Sequence, residues 1–431
     1  MRHHPIRKTI GTLIVSLILC FGTMSCHAGK SLPPGAHLGP GRHTLTLNVD
    51  GLERSCIVHV PPGYDSSAPA PLVIMLHGGG GTAKAAIWET GWAEKADKEG
   101  FLAVFPNAVA RDPSQGSSFA RNPQLWNDGS DRFYSDQKAV NDTRFIAALL
   151  DDLSARFSVD RRRVFVTGFS NGASMSFLIG AQLSNRIAAI APVAGACWID
   201  PVPLNRPVPM LYITGTEDPL NPIDGGVPKL ATGGSDKVRA KPKPPVRASI
   251  LKWAEALECA RTPRNVSDAD GIRVESYGPC RNDAEVVSIT VDGLGHTWAG
   301  GRSILPESLV GRTSDRPNAT DVIWEFFRKH PNVSSALLRL GNKCSPIWAP
   351  SALAASVFQT AVRGKDGRGD PAQYQGRRPD QPPAQWFCQE KDASRGCQGR
   401  HQQLHQGGVF RIQVLQGGVP DDVPGGRGTG A

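Results

Sequence analysis

A chain of 431 residues has room for one large core or two ordinary ones, and its 40% hydrophobic content excludes wholesale disorder. The formal charge of +9 sits at the two ends: residues 1–30 hold four basic residues and no acid, residues 331–431 hold twelve basic and seven acidic, and residues 31–330 balance at 32 of each. A basic face on the folded body, the footprint of a nucleic-acid binder, is therefore not supported.

The first 28 residues read as a secretory signal peptide. Arg2, Arg7 and Lys8 form a positive start, residues 10–21 an apolar run, and small residues at 25–28 a cleavage zone. The apolar run is too short to span a bilayer comfortably, so a stable membrane span is not expected. Thr23-Met24-Ser25-Cys26 weakly resembles a lipoprotein box, with Cys26 as the residue that would be lipidated. Export places the protein in a secreted or periplasmic compartment where disulfides persist. Of the nine cysteines, Cys259 and Cys280 make the best pair, closing a short loop between a helix and a strand. No C-x-x-C pair is present, which argues against a structural zinc site.

Between residues 40 and 331 short β-rich runs alternate with helical stretches. This is the α/β pattern of a mostly parallel central sheet with helices on both faces. Strands are expected at 44–49, 55–60, 72–76, 102–105, 164–167, 189–193, 210–214 and 286–291, the first two as an antiparallel hairpin turned at Asp50-Gly51. Helices are expected at 85–99, 137–157, 173–183, 247–260 and 320–330, the second with Phe145, Leu149, Leu150 and Leu153 as a buried stripe. The long connections at 106–136 and 219–246 follow strand C-termini, where ligands bind in open α/β sheets. Residues 332–431 are dominated by Gly, Gln, Pro, Arg and Ala with little periodicity; they read as a low-complexity tail, expected to be disordered and dispensable.

The sharpest chemical signal is Val164-Phe165-Val166-Thr167-Gly168-Phe169-Ser170-Asn171-Gly172. A β-rich run meets Gly-x-Ser-x-Gly and a small-residue helix start follows, the arrangement that presents a serine nucleophile on a tight strand-to-helix turn. A serine hydroxyl needs a base. His296 lies on the Gly-rich stretch Asp292-Gly293-Leu294-Gly295-His296 just after the last expected strand. The acid should follow the strand at 210–214, whose exit reads Gly215-Thr216-Glu217-Asp218-Pro219. Asp218 is favoured for fixing the tautomer of His296, with Glu217 as its neighbour and rival. An oxyanion needs backbone donors; these are expected from the amide of Asn171 and from Gly78 or Gly79 in His77-Gly78-Gly79-Gly80-Gly81. That glycine run lacks the Lys-Ser/Thr of a phosphate-binding loop.

Taken together, these blocks resemble the secreted esterases of the α/β-hydrolase type grouped with poly(3-hydroxybutyrate) depolymerases and with feruloyl or acetylxylan esterases. The resemblance rests on Leu76-His77-Gly78-Gly79, Gly168–Gly172, Gly215–Pro219 and Gly295-His296-Thr297-Trp298, with Val140-Asn141-Asp142 as a helix start. It departs from the family at Ala299, where a proline is usual, and at Asn141, where a second Asp is. The resemblance implies a Ser170–Asp218–His296 triad, a Cys259–Cys280 bridge, and no metal or organic cofactor. It also implies an ester substrate, either a polyester oligomer or an acylated polysaccharide. Trp126 and Trp298 are expected to flank the cleft, where flat rings would hold an aromatic acyl group or a sugar. The expected function is thus a carboxylic ester hydrolase, poly(3-hydroxybutyrate) depolymerase-like. Feruloyl or acetylxylan esterase activity is the alternative, and a peptidase on the same fold or a non-catalytic envelope binding protein are more distant ones.

Overall fold

The computed structural model describes residues 38–131, 140–229 and 241–332. The expected signal peptide, Cys26 and nearly all of the expected tail lie outside these residues, as does the start of the helix expected from 137. Strand β1 (Gly41–Val49) turns at Asp50-Gly51 into β2 (Leu52–Val60) and pairs with it antiparallel. Both turn residues have positive φ, 55° and 79°, which suits a two-residue hairpin turn and explains the Asp-Gly pair. Next come β3 (Ala70–Leu76), α1 (Ala83–Thr90), α2 (Trp92–Glu99) and β4 (Leu102–Pro106). The single helix expected at 85–99 is broken at Gly91. Its left-handed conformation (φ 69°) lets its N–H reach the carbonyl of Ile87, ending α1 and redirecting the chain into α2.

The long connection after β4 contains a small antiparallel ribbon, β5 (Val109–Ala110) with β6 (Gln124–Leu125). Helix α3 (Asp142–Arg156) starts where the Asn141 side chain accepts from the amide of Arg144, and buries Phe145, Ile146, Leu149, Leu150 and Leu153. Then follow β7 (Val159–Phe169), α4 (Asn171–Gln182), β8 (Ala189–Val193), β9 (Met210–Gly215) and α5 (Val246–Ala256). The chain continues with β10 (Arg264–Ala269), β11 (Ile272–Tyr277), β12 (Val286–Val291), α6 (Glu307–Val310) and α7 (Ala319–Lys329). Neither β10 nor β11 was expected; β10 is polar and half exposed, so it lacks the apolar run that marks the central strands. Their Asp270-Gly271 turn, again with positive φ (55° and 72°), is the signal that marks the hairpin.

Ten strands form one sheet in the order β1-β2-β4-β3-β7-β8-β9-β12-β11-β10. The six central strands from β4 to β12 run parallel and the pairs at each edge are antiparallel. Apart from the polar start of β7, the central strands read as nearly continuous apolar runs because each face is covered. In β3, Leu72, Ile74 and Leu76 join a core with Phe145 of α3, Phe177 of α4 and Trp253 of α5, while Val73 and Met75 join Trp92 of α2 and Phe327 of α7 on the other face. The order reverses at β3: the chain leaves it toward β4 and returns to its other side at β7. Such a switch point opens a crevice at the carboxyl ends of the strands, and the loops after β3 and β7 flank it. No helix among the described residues is long and apolar enough to cross a membrane.

Candidate active site

Ser170 caps α4 at the end of β7 with φ 56° and ψ −116°, a conformation strained for a residue bearing a Cβ. The glycines around it are dictated by contact. A Cβ on Gly168 would lie 2.3 Å from the carbonyl oxygen of Gly172, and one on Gly172 would lie 2.3 Å from that of Leu76. Gly195 is equally constrained, since a Cβ there would meet the Ser170 carbonyl at 2.5 Å. The turn is held by the amide of Ser170 donating to Val193 (2.9 Å) and by the Tyr212 hydroxyl donating to Gly195 (2.5 Å). As the first residue of α4, Asn171 has an amide with no carbonyl to reach inside the helix, and the helix dipole points its positive end at the same place.

His296 arrives from the loop after β12, its backbone amide bonded to Val310. Gly295 is needed there because a Cβ would meet the Val310 carbonyl at 2.2 Å. The Nδ1 of His296 is 2.7 Å from Asp218 Oδ2, and both side chains are buried. Asp218 follows β9 and accepts from the amides of Leu220 (2.8 Å) and Asn221 (2.7 Å) through Oδ1. Burial pushes its pKa up, but the charge and hydrogen bond of His296 and the two amides outweigh that and hold it below the ordinary carboxylate value. Glu217, its rival by sequence, is exposed. The ring of His296 packs against Phe169, the residue before Ser170, with centroids 4.8 Å apart, and Ser170 and His296 line one cavity of about 440 Å³.

The loop after β3 forms another wall. Gly78 and Gly79 line the cavity, and a Cβ on Gly78 would touch the Cβ of Ser170 at 3.5 Å. The amides of Gly80 and Gly81 are committed to Gln124 and Gly78 carbonyls. His77 anchors this loop: Ala108 donates its amide to Nε2 (3.1 Å), so the proton sits on Nδ1 and is given to the Gly78 carbonyl (2.7 Å). Burial pushes the pKa of His77 down to about 4, which keeps it neutral. A second brace runs from α4. Asn171 Oδ1 accepts from the amide of Trp126 (2.8 Å), and Nδ2 donates to the Trp126 carbonyl (3.1 Å) and to Asp128 (2.9 Å). The same segment is tied to Asp142, which accepts from the amide of Asn127 (2.7 Å) and pairs with buried Arg54 at 2.6 Å.

Trp126 and Trp298 do not flank the cleft. Trp126 is fully buried behind it and donates its indole N–H to the His77 carbonyl (2.9 Å); Trp298 is 2% exposed and donates to Thr320 (3.0 Å). A tryptophan beside a catalytic motif can fill the cleft or the core behind it, and both indoles find their partners behind it. The apolar walls instead come from Phe119, Phe169, Trp198, Leu220, Ile304 and Leu305, and Glu89, Asp128 and Lys243 supply the charged groups. Most of these sit in connections whose sequence shows no periodicity; only the length and position of the loops marked them. Cys259 and Cys280 form a disulfide, and the loop between them contains the β10–β11 hairpin. Among the described residues no group of three or more His, Cys, Asp or Glu is placed to hold a metal ion.

A serine elbow at the carboxyl edge of a mostly parallel sheet, with a histidine-bearing loop after the last parallel strand, defines the α/β-hydrolase fold. Residues 64–228 match the phospholipase/carboxylesterase family. The candidate esterase NocK of Nocardia uniformis subsp. tsuyamanensis is 30% identical over 296 residues, 64% of this chain and 80% of that protein. Feruloyl esterase B of Piromyces equi is 30% identical over 58% of this chain, and poly(3-hydroxyalkanoate) depolymerase C of Paucimonas lemoignei 32% identical over 32% of it. Those two matches take in 44% and 30% of the relatives' own lengths. The chain belongs to the phospholipase/carboxylesterase family and is an esterase of the α/β-hydrolase fold.

Proposed function

We propose that this esterase works by two-step acyl transfer on carboxylic esters, with Ser170 as nucleophile, His296 as base and acid, and Asp218 holding His296. His296 takes the Ser170 proton as Oγ attacks the ester carbonyl carbon. The oxygen of the tetrahedral intermediate accepts from the amides of Asn171 and of Gly78 or Gly79. His296 then protonates the departing alcohol, and water, deprotonated by His296, releases the acid and restores Ser170. The observation that carries this reading is the 2.7 Å contact of Asp218 with His296, which lines the same cavity as Ser170.

The acyl group is proposed to be a compact, flat or short one, of the kind borne by feruloylated or acetylated polysaccharide. Phe119, Phe169 and Trp198 suit such a group, and relatives are named feruloyl and acetylxylan esterases. Cleavage of hydroxyalkanoate polyester is the second reading, favoured by Phe119 and Ile304, which line the cavity yet stay 38% and 57% exposed, as contact with a solid apolar substrate requires. The protein is further proposed to be exported, either free or lipidated at Cys26; the Cys259–Cys280 disulfide suits an oxidising compartment.

Ser170→Ala is expected to reduce turnover of 4-nitrophenyl butyrate by at least about 10³-fold and to end labelling by a fluorophosphonate probe. Activity retained above a few per cent removes Ser170 from its role. Parallel assays on methyl ferulate, acetylated xylan, hydroxybutyrate oligomers and a matched anilide rank the substrate classes and test the peptidase alternative.

A further inference from the structure

Of the ionisable groups on the cavity wall outside the acyl-transfer scheme, Asp128 is bonded to Asn171 and Lys243 to Asn221, while Glu89 braces neither. Glu89 lies on α1, one helical turn beyond Ala85, and both residues line the cavity. Ala85 on its own helix and Ile304 and Leu305 on the facing segment line the same cavity. Burial pushes the pKa of Glu89 up to about 7, against the smaller opposing pull of the Ile304 backbone. A carboxyl held among apolar groups is costly to keep unless something uses it.

Resting on the esterase reading above, we propose that Glu89 is a specificity-determining residue that hydrogen-bonds a hydroxyl at the remote end of a flat acyl group. The position sets the length of that group. Thr82 caps helix α1 directly after the Gly78–Gly81 loop that faces the scissile carbonyl, and Glu89 lies roughly 10 Å beyond that cap along the helix axis at 1.5 Å per residue. A 4-hydroxycinnamoyl group reaches such a distance with its phenolic hydroxyl while its ring lies among the apolar walls. A 3-hydroxyacyl group, whose hydroxyl oxygen is three bonds from the carbonyl carbon, falls short. A hydroxyl also suits Glu89 in both protonation states, since it donates to the carboxylate and can accept from the acid. The acyl group is the part that stays bound through both half-reactions, and a wall built on a helix rooted beside the oxyanion loop is a fixed surface for it.

The test compares kcat/KM for methyl 4-hydroxycinnamate and methyl cinnamate, two esters that differ only in the remote hydroxyl, with the full-length protein. The wild type is expected to prefer the hydroxylated ester about tenfold, the value of one hydrogen bond of ordinary strength. Glu89→Leu collapses the ratio to near one, and Glu89→Gln, which still donates and accepts, keeps most of it. Fluorophosphonate labelling of Ser170 shows that each variant is folded with its nucleophile in place. A wild-type ratio near one, or a ratio that survives Glu89→Leu, overturns the proposal while leaving the esterase reading intact. Loss of both labelling and 4-nitrophenyl butyrate turnover in the wild type overturns the esterase mechanism itself.

Discussion

Two adjacent carboxylates follow β9, and their environments differ in kind. Asp218 is buried, takes two backbone amides on one oxygen and His296 on the other, and has its pKa lowered; Glu217 points to solvent. A carboxylate that stays ionised in a buried site can hold the histidine tautomer and, in the proposed scheme, stabilise the imidazolium formed as Ser170 reacts. Asp218→Asn leaves the shape but removes that charge, and kcat on 4-nitrophenyl butyrate is expected to fall on the order of 10³–10⁴-fold. Glu217→Gln should stay within about twofold of wild type, since an exposed side chain contributes little. Equal losses in the two variants would return the choice to the ambiguity that chain spacing left. What spacing lacked was burial: both residues sit in the same exit loop, and only the fold tells which one turns inward.

At the scale of the element, the Cys259–Cys280 disulfide joins the end of α5 to the residues after β11, and the hairpin β10–β11 forms the loop it closes. Closing a 21-residue separation stabilises by about 3 kcal/mol in the chain-entropy account, by restricting the unfolded chain. None of the cavity residues comes from that hairpin. The double variant Cys259→Ala/Cys280→Ala should therefore lower the urea midpoint by an amount corresponding to about 2–3 kcal/mol, with KM for a small ester unchanged. A change in KM would show that the hairpin shapes the site after all. This edge was also the least legible part of the sheet. The run from Val164 to Gly172 announced both strand and elbow because buried parallel strands are apolar throughout and close packing demands glycine at 168 and 172. Strand β10, by contrast, is polar and half exposed, so only the Asp270-Gly271 turn betrays it. Gly91 was visible too, yet a glycine inside a helical pattern does not say whether it is tolerated or turns the chain. Trp126 and Trp298 were misplaced for a related reason, since proximity in sequence to a catalytic motif does not say which side of the loop an indole packs on.

Across the whole molecule, buried titratable groups of opposite sign set how stability depends on pH. Burial pushes the pKa of His77 and His330 down to about 4, and that of Glu89 and Glu285 up to about 7. A buried histidine costs nothing above its ordinary value of 6.5 and destabilises progressively as pH falls toward 4, because the unfolded chain takes up the proton first. A buried glutamate with a raised pKa runs the other way. It costs nothing below 4.5 and destabilises as pH rises to about 7, where the folded state must finally ionise it. Between about pH 4.5 and 6.5 the two slopes oppose each other, which flattens the stability curve. His330 and Glu285 are themselves neighbours, 3.6 Å apart between the end of α7 and the start of β12. Glu285→Gln removes one slope and keeps the shape. Its stability should equal that of the wild type at pH 4.5 and exceed it by on the order of 2 kcal/mol at pH 8, with the gap opening through pH 5–7. Urea titrations at those pH values measure it. A gap of the same size at pH 4.5 and pH 8 would mean that Glu285 acts through packing alone and that its ionisation is not linked to folding.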